Sequence, residues 1–364
     1  MNLKKTVAVI LTLLIMVSML AGCADQKPAA NEPKTPAQSG AEPTADASGK
    51  TESKGTIAML LQTLSFKRYP DGDVPYFEAR CKELGYTSVV HAANDNSETQ
   101  IQQAESVINQ GVNAIVLQPC SDANAITIVE MAHEAGIPVV GYNDPVNGVE
   151  LDAFVGRDNV GMWKEAATMF VEAYPSGNYI LCNGDEKYMA ARGFQEGYSQ
   201  VVYATEGITV VSDQWNTEWS AESTMAQVEA ALAANNNNIT AVVCANDPMA
   251  TGAMQALDAS GLLGTVGLIG CDLELNCAQA IVEGKMFGTC FTEYGIMGED
   301  AATLAACLIE NTDFPQNIGV YDNGFEIPYI ATKHVIVTAD NMKTFIEEHP
   351  WWFTAEEVYA NVKQ

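Results

Sequence analysis

Residues 97–119 read SETQIQQAESVINQGVNAIVLQP, and within this one stretch the hydrophobic period changes from helical to extended. Ser97 and Gln100 stand at capping-box spacing, Ile101, Ala104, Val107 and Ile108 fall on one helical face, and Gly111 stops the pattern. The apolar run 114–117 then reads as a buried strand, and Gln118 and Pro119 end it. A helix with one apolar stripe feeding a strand with two apolar faces is half of a βαβ unit.

The same plan recurs on both sides. Apolar runs at 56–61, 87–91 and 138–141 are each followed by a polar turn and a segment of period 3.6. After Arg157-Asp158-Asn159 a second series begins, with strand candidates at 179–182, 209–212, 241–244, 266–269 and 287–291. Helices lie between them, such as 221–234 with Met225, Val228 and Leu232 inward. Parallel strands need crossover helices on both faces, so the expected fold class is α/β, with two doubly wound parallel-sheet lobes and a cleft between their carboxyl strand ends. Residues 319–337 turn strand-rich again, and 354–362 reads as a terminal helix.

Composition narrows the function. The chain has 364 residues, 48% of them hydrophobic, enough to bury a core in each of two domains. A net charge of −28, with Arg68, Arg80, Arg157 and Arg192 the only arginines, excludes a nucleic-acid partner. Lys4 and Lys5, the apolar run 7–20 and Leu20-Ala21-Gly22-Cys23 have the order of a secretory signal, too short for an ordinary membrane span. Small residues before a Cys resemble the lipobox of bacterial lipoproteins, which implies lipidation of Cys23 after removal of residues 1–22. Residues 24–54 hold almost no large apolar side chain and are expected to form a disordered tether. The lipid anchor is then the chain's only membrane attachment.

Eight cysteines remain: Cys81, Cys120, Cys182, Cys244, Cys271, Cys277, Cys290 and Cys307. No C-x-x-C pair occurs, and Cys182, Cys244 and Cys290 fall inside strand-like runs, where Cys acts as a small hydrophobe. Free, buried thiols are expected. The scattered histidines His91, His133, His334 and His349 give no metal-ligand spacing, and neither a metal nor a cofactor is expected.

Polar and aromatic residues recur where the strands end. Gln118 follows 114–117; Tyr142, Asn143 and Asp144 follow 138–141; Asn246 and Asp247 follow 241–244; Asp272 and Thr292-Glu293 follow the last two runs. Amides and carboxylates can read vicinal hydroxyls, and the aromatic faces of Tyr69, Trp215 and Trp219 can cover the C–H side of a sugar ring. Any single Asn or Asp after a strand is commonly a turn residue or helix cap, so the weight lies in the recurrence.

The segment 177–288 resembles the D-xylose-binding and ribose-binding members of the type I periplasmic binding proteins. The likeness lies in Gly177-Asn178-Tyr179, Asp213-Gln214-Trp215 with Trp219, Ala234-Asn235-Asn236-Asn237, Ala245-Asn246-Asp247 and Gly252-Ala253-Met254-Gln255-Ala256-Leu257. Upstream it continues in Ala93-Asn94 and Glu98-Thr99-Gln100. The resemblance implies two lobes joined by three crossing strands, at Arg157-Asp158, at Thr292-Glu293 and near 327–330. The expected division is a signal at 1–22, lipidated Cys23 and tether over 23–54, an N-terminal lobe of 55–156 plus 293–327, and a C-terminal lobe of 157–292 plus 328–364.

By position, the resemblance puts ring-stacking aromatics near Tyr69 and on Trp219, a basic contact on Arg68, and hydroxyl-holding groups on Asn246 and Asp272. The chain departs from the family at Asn143-Asp144, where Asp-Arg is common, and the contacts after the sixth strand and at the hinge fall on Tyr188 and Thr292. Gln118, Asn143 and Asp144 complete the candidate ligand-binding set. Losing an Arg and gaining an Asp moves the pocket charge by about two units, so beside a pentose or hexose an amino sugar, a polyol or another cation-bearing metabolite stays open.

The resemblance implies an extracytoplasmic, membrane-anchored binding lipoprotein, monomeric, that closes on a small polar ligand and delivers it to an ABC transporter permease. A sensor presenting its closed form to a membrane receptor is the alternative. A hydrolase would need paired carboxylates among Asp144, Asp247, Asp272 and Glu293, and no catalytic motif accompanies them. A repressor would need a basic DNA-reading helix, where this chain has an export signal.

Overall fold

The computed structural model describes residues 53–362 apart from 145 and 317; the export signal, Cys23 and nearly all of the tether lie outside the described residues. Strands β1 (Thr56–Leu61), β2 (Thr87–Ala92), β3 (Ala114–Leu117), β4 (Val139–Asn143) and β5 (Ala153–Arg157) come first, with helices α1 (Val74–Leu84), α2 (Ser97–Asn109) and α3 (Asp122–Glu134) between the first four. Helix α4 (Asn159–Ala173) opens the second series, β6 (Gly177–Asn183), α5 (Met189–Val202), β7 (Ile208–Trp215), α6 (Ala221–Ala234) and β8 (Ala241–Cys244). It continues through α7 (Asp247–Ala259), β9 (Gly267–Cys271), α8 (Leu275–Val282) and β10 (Gly288–Thr292). The chain ends with α9 (Tyr294–Glu310), β11 (Gly319–Asp322), β12 (Glu326–Thr332), β13 (His334–Thr338), α10 (Met342–Glu348) and α11 (Ala355–Val358).

Two sheets result, one seven-stranded in the order β11-β12-β5-β4-β3-β1-β2 and one six-stranded in the order β13-β10-β9-β8-β6-β7. The five successive parallel strands of each sheet are laid out alike, with the order reversing between β1 and β3 in one and between β6 and β8 in the other. These switch points open crevices at the carboxyl strand ends. Strands β3, β4 and β5 are buried along their whole length because helices cover both faces. Residues of α1 and α9 pack on one face of the first sheet and residues of α2 and α3 on the other. A single core of larger extent surrounds the second sheet.

Helix α2 starts differently from the sequence reading. Asn96, not Ser97, caps it by accepting from the Thr99 amide at 2.8 Å. Gln100 is thereby free of capping and fully buried: its Nε2 donates to the Gln118 carbonyl at 2.8 Å and its Oε1 accepts from the Cys120 amide at 2.9 Å. It fixes the turn that carries Gln118.

The chain crosses between the sheets at Arg157-Asp158, at Thr292-Glu293 and at Lys333. The last crossing lies beyond the 327–330 expected, because β12 stays paired with β5 as far as Thr332. The crossings run side by side: Arg157 is register partner of Thr332, Thr292 of His334, and the Glu293 amide donates to the Lys333 carbonyl at 3.0 Å. Behind them, the C-terminal segment folds back onto this junction. His349 lies stacked on Phe345 with its Nε2 2.9 Å from both carboxylate oxygens of Glu293 and its Nδ1 2.9 Å from the Phe345 carbonyl. Both ring nitrogens thus face acceptors, an arrangement that only the doubly protonated ring satisfies. Burial pulls the His349 pKa down, but Glu293 and the Phe345 carbonyl more than offset it and raise it above 6.5.

The eight described cysteines are all free, and Cys182–Cys244 and Cys271–Cys290 sit as register neighbours on central strands, where burial pushes Cys244 and Cys271 well above the ordinary thiol range. Non-reducing denaturation followed by thiol titration should therefore find these eight thiols reactive; fewer than six would contradict the packing. For His349, a raised folded pKa gives stability that is full below pH 6.5 and is lost as pH rises through the folded value. Urea unfolding of wild type and His349→Gln should show a larger gap at pH 6 than at pH 9, and a constant gap would remove the ion pair from the account.

Candidate functional site

A cavity of about 370 Å³ lies between the facing strand ends of the two sheets. Its size is within the range of small-molecule sites. Segments after β1, β3 and β4 supply the first-lobe wall, segments after β6, β7, β8 and β9 the second-lobe wall, and the crossing residue Arg157 stands where they meet. The lobes touch across the mouth: Gln62 donates from Nε2 to the Tyr188 hydroxyl at 3.3 Å.

The first-lobe wall is one hydrogen-bonded chain. Asp73, fully buried, accepts from Arg68 Nε at 3.2 Å and from the Tyr142 hydroxyl at 2.5 Å. Arg68 Nη1 donates to Asn143 Oδ1 at 2.8 Å, Asn143 Nδ2 donates to Asp144 Oδ2 at 3.0 Å, and Gln118 Nε2 donates both to that oxygen at 3.0 Å and to the Tyr69 hydroxyl at 2.8 Å. Burial works against the Arg68 charge, yet Asp73 holds it, and its pKa stands well above the ordinary value. Burial pushes Tyr69 up to about 12, so it remains a neutral phenol. Gln118 Oε1 is buried with no hydrogen-bond partner among the described residues, an acceptor left over at the cavity wall.

The second-lobe wall centres on Trp219. Its ring lies 6.1 Å from Tyr188 and 6.2 Å, edge on, from Phe194. Glu218 and Trp219 both adopt positive φ, 58° and 54°, a conformation unfavourable for bulky residues. Asp185 steadies this turn by accepting the Glu218 amide at 2.7 Å. Gly184 permits it, since a Cβ there would stand 2.2 Å from the indole. Asn246 caps α7, its Oδ1 accepting from the Met249 amide at 3.0 Å, while its Nδ2 makes no hydrogen bond among the described residues. Asp272, at φ 99°, accepts from the Tyr294 hydroxyl at 2.7 Å and lies 3.5 Å from Arg157 Nη1.

Of the residues singled out in the sequence, Arg68, Tyr69, Gln118, Asn143 and Asp144 line the cavity from the first lobe, and Tyr188, Trp219, Asn246 and Asp272 from the second. Thr292 does not. It is fully buried at the crossing, and the crossing residue that reaches the cavity is Arg157, whose Nε has no hydrogen-bond partner among the described residues. Trp215 is 37% exposed and also stands outside. Among the carboxylates considered for hydrolysis, Asp247 is sealed beneath the site by the Glu274 amide and Thr289, and Glu293 is taken by His349.

Several lining residues were missed. Phe66, 49% exposed, offers a larger aromatic face than Tyr69, which is 4% exposed. Asp95, Glu218 and Glu274 sit in turns whose orientation no local pattern reveals. Trp352 arrives from the C-terminal segment, anchored by its Nε1 donating to the Leu273 carbonyl at 2.9 Å, and Lys67 lies over its ring. The terminal helix, shorter than expected at Ala355–Val358, packs beside α8 and closes this corner.

Comparisons with known proteins agree with the geometry. The pattern of the periplasmic binding protein domain matches residues 57–313. The D-xylose-binding periplasmic protein of Escherichia coli is 34% identical over 79% of this chain and 88% of its own length. The ribose import binding protein of Bacillus subtilis is 26% identical over 83% of this chain and 92% of its own. The crystal structure of an ABC transporter solute-binding protein from Clostridium phytofermentans, with bound β-D-glucose, superposes with a TM-score of 0.73 at 21% identity, covering 83% of this chain and 99% of that one. In sequence as in fold, this chain belongs to the periplasmic binding protein family, whose members bind solutes and are not enzymes.

Proposed function

We propose that the protein is the sugar-capturing component of an ABC importer, working outside the cytoplasmic membrane, anchored through lipid on Cys23 and acting as a monomer. The observation that carries this reading is the cavity of about 370 Å³ between the lobes, lined from both of them by aromatic faces and by hydrogen-bonding groups. The kinship with binding proteins named for D-xylose and ribose points the same way.

The pocket chemistry matches a sugar ring. Trp219 and Phe66 present aromatic surface from opposite lobes, and Asn246 Nδ2, Asp272 and Asp144 offer donors and acceptors around the rim of a ring held between them. Groups supplied by both lobes make ligand affinity depend on closure. A ligand that touches both walls binds the closed state more tightly than the open one and shifts the population accordingly. The closed form then presents both lobes together to the permease. Arg68 fixes Asn143 and, through it, Asp144, and keeps one Nη1 hydrogen for the cavity that it lines.

A thermal-shift screen of purified protein against pentoses, hexoses, polyols and amino sugars should raise the melting temperature for at least one of them, since a ligand that binds only the folded state stabilises it. No shift with any member would refute the proposal. Trp219→Ala should weaken binding of that ligand by about tenfold to a hundredfold through lost stacking and burial. Gly184→Ala, which drives a Cβ into the indole without removing it, should weaken binding in the same direction, and unchanged affinity in both variants would dismiss Trp219 as a contact.

A further inference from the structure

The charges around the cavity do not balance. Every lining cation is paired with a carboxylate: Lys67 with Asp71, Arg68 with Asp73, Lys187 with Asp185 at 3.3 Å, and Arg157 with Asp272 at 3.5 Å. Asp71, Asp73 and Asp185 stand behind the wall, so three of the four cations are neutralised from outside the cavity. Five carboxylates line it, Asp95, Asp144, Glu218, Asp272 and Glu274. With Asp272 set against Arg157, the other four form no ion pair among the described residues. Asp95 and Glu218 are exposed at the rim, whereas Asp144 and Glu274 are partly buried. Burial raises the Glu274 pKa, and the nearby Asp272 carboxylate adds to it.

Hydrogen-bond capacity sharpens this. Gln118 is 2% exposed; its Nε2 is spent on Tyr69 and on Asp144 Oδ2, and its Oε1 has no partner among the described residues. The wall around Asp144 therefore carries a carboxylate facing the cavity and, behind it, a buried amide oxygen that no donor among the described residues reaches. Arg68, the cation next to them, has its charge countered by Asp73 and its Nη1 donated to Asn143. A ligand hydroxyl has one proton to donate, whereas an ammonium group has three and brings the charge that the wall lacks.

We infer that the ligand is a sugar or polyol bearing an amino group, seated with its ammonium against Asp144. This rests on the proposed sugar-binding function and specifies the ligand of that same site. Titration calorimetry at pH 7 and low salt, with D-glucosamine, D-galactosamine and D-mannosamine against their neutral parent hexoses, tests it. The expected result is that one amine binds at least tenfold more tightly than its parent, and that Asp144→Asn shrinks this ratio by tenfold or more. A neutral parent that binds as tightly as its amine overturns the inference in wild-type protein alone and leaves sugar capture standing. A ratio unchanged in Asp144→Asn overturns the assigned seat. Absence of binding by every amine and every neutral sugar overturns both readings.

Discussion

Three chain crossings bonded side by side hold the two sheets so that their carboxyl strand ends face one another, and the site exists only because of that alignment. Arg157 pairs with Thr332, Thr292 with His334, and the Glu293 amide with the Lys333 carbonyl. Parallel strands expose their ligand-facing ends on one edge of a sheet, so a single sheet could offer only an open crevice. Setting two edges against each other turns two crevices into one cavity lined from both sides. Among the described residues, four of the buried polar atoms without a hydrogen-bond partner lie at or beside the crossings, Arg157 Nε, Asn159 Oδ1, Thr292 Oγ1 and Thr332 Oγ1. An under-satisfied junction is less costly to rearrange than a fully bonded core, which suits a hinge.

The wall beneath the ligand is built on a different economy. Arg68 and Asp73 are almost entirely removed from water, and a buried ion pair is tolerable only when its remaining donors and acceptors are met. Tyr142, Asn143 and the Met297 sulfur meet them, and the ring of Tyr294 lies 3.8 Å from the guanidinium. Rigidity is the return: the network reaches through Asn143 to Asp144 and Gln118, so the groups facing the cavity are set before a ligand arrives. On the opposite wall, positive φ at Glu218 and Trp219 stores strain that Asp185 and the missing side chain of Gly184 accommodate.

The C-terminal segment ties the two walls together from behind. Trp352 is packed edge on against Phe291 of the second lobe at 5.2 Å, while Trp351 meets Tyr76 of the first-lobe helix α1 at 5.3 Å. Gly72 allows this approach, because a Cβ there would come within 3.0 Å of the Trp351 ring. An aromatic strap anchored at the crossing by His349 and Glu293 thus spans both lobes on the hinge side, leaving the mouth side to open.

The sequence by itself determined what depends on local physics. The change of period in 97–119, repeated along the chain, dictated alternating strands and helices, and the parallel sheets followed because such strands need crossover helices. Residues at or just past strand ends, such as Gln118, Asn143, Asn246 and Asp272, were legible as cavity-facing because strand ends in these sheets converge. Only the tertiary structure decided that Arg157 rather than Thr292 reaches the cavity, that Asp73 cancels Arg68, and that Trp352 joins the site from the far end of the chain. Periodicity fixes which face of an element is buried, but the partner of a buried charge, or the neighbour of a side chain hundreds of residues away, is set by packing between elements, which no local pattern encodes.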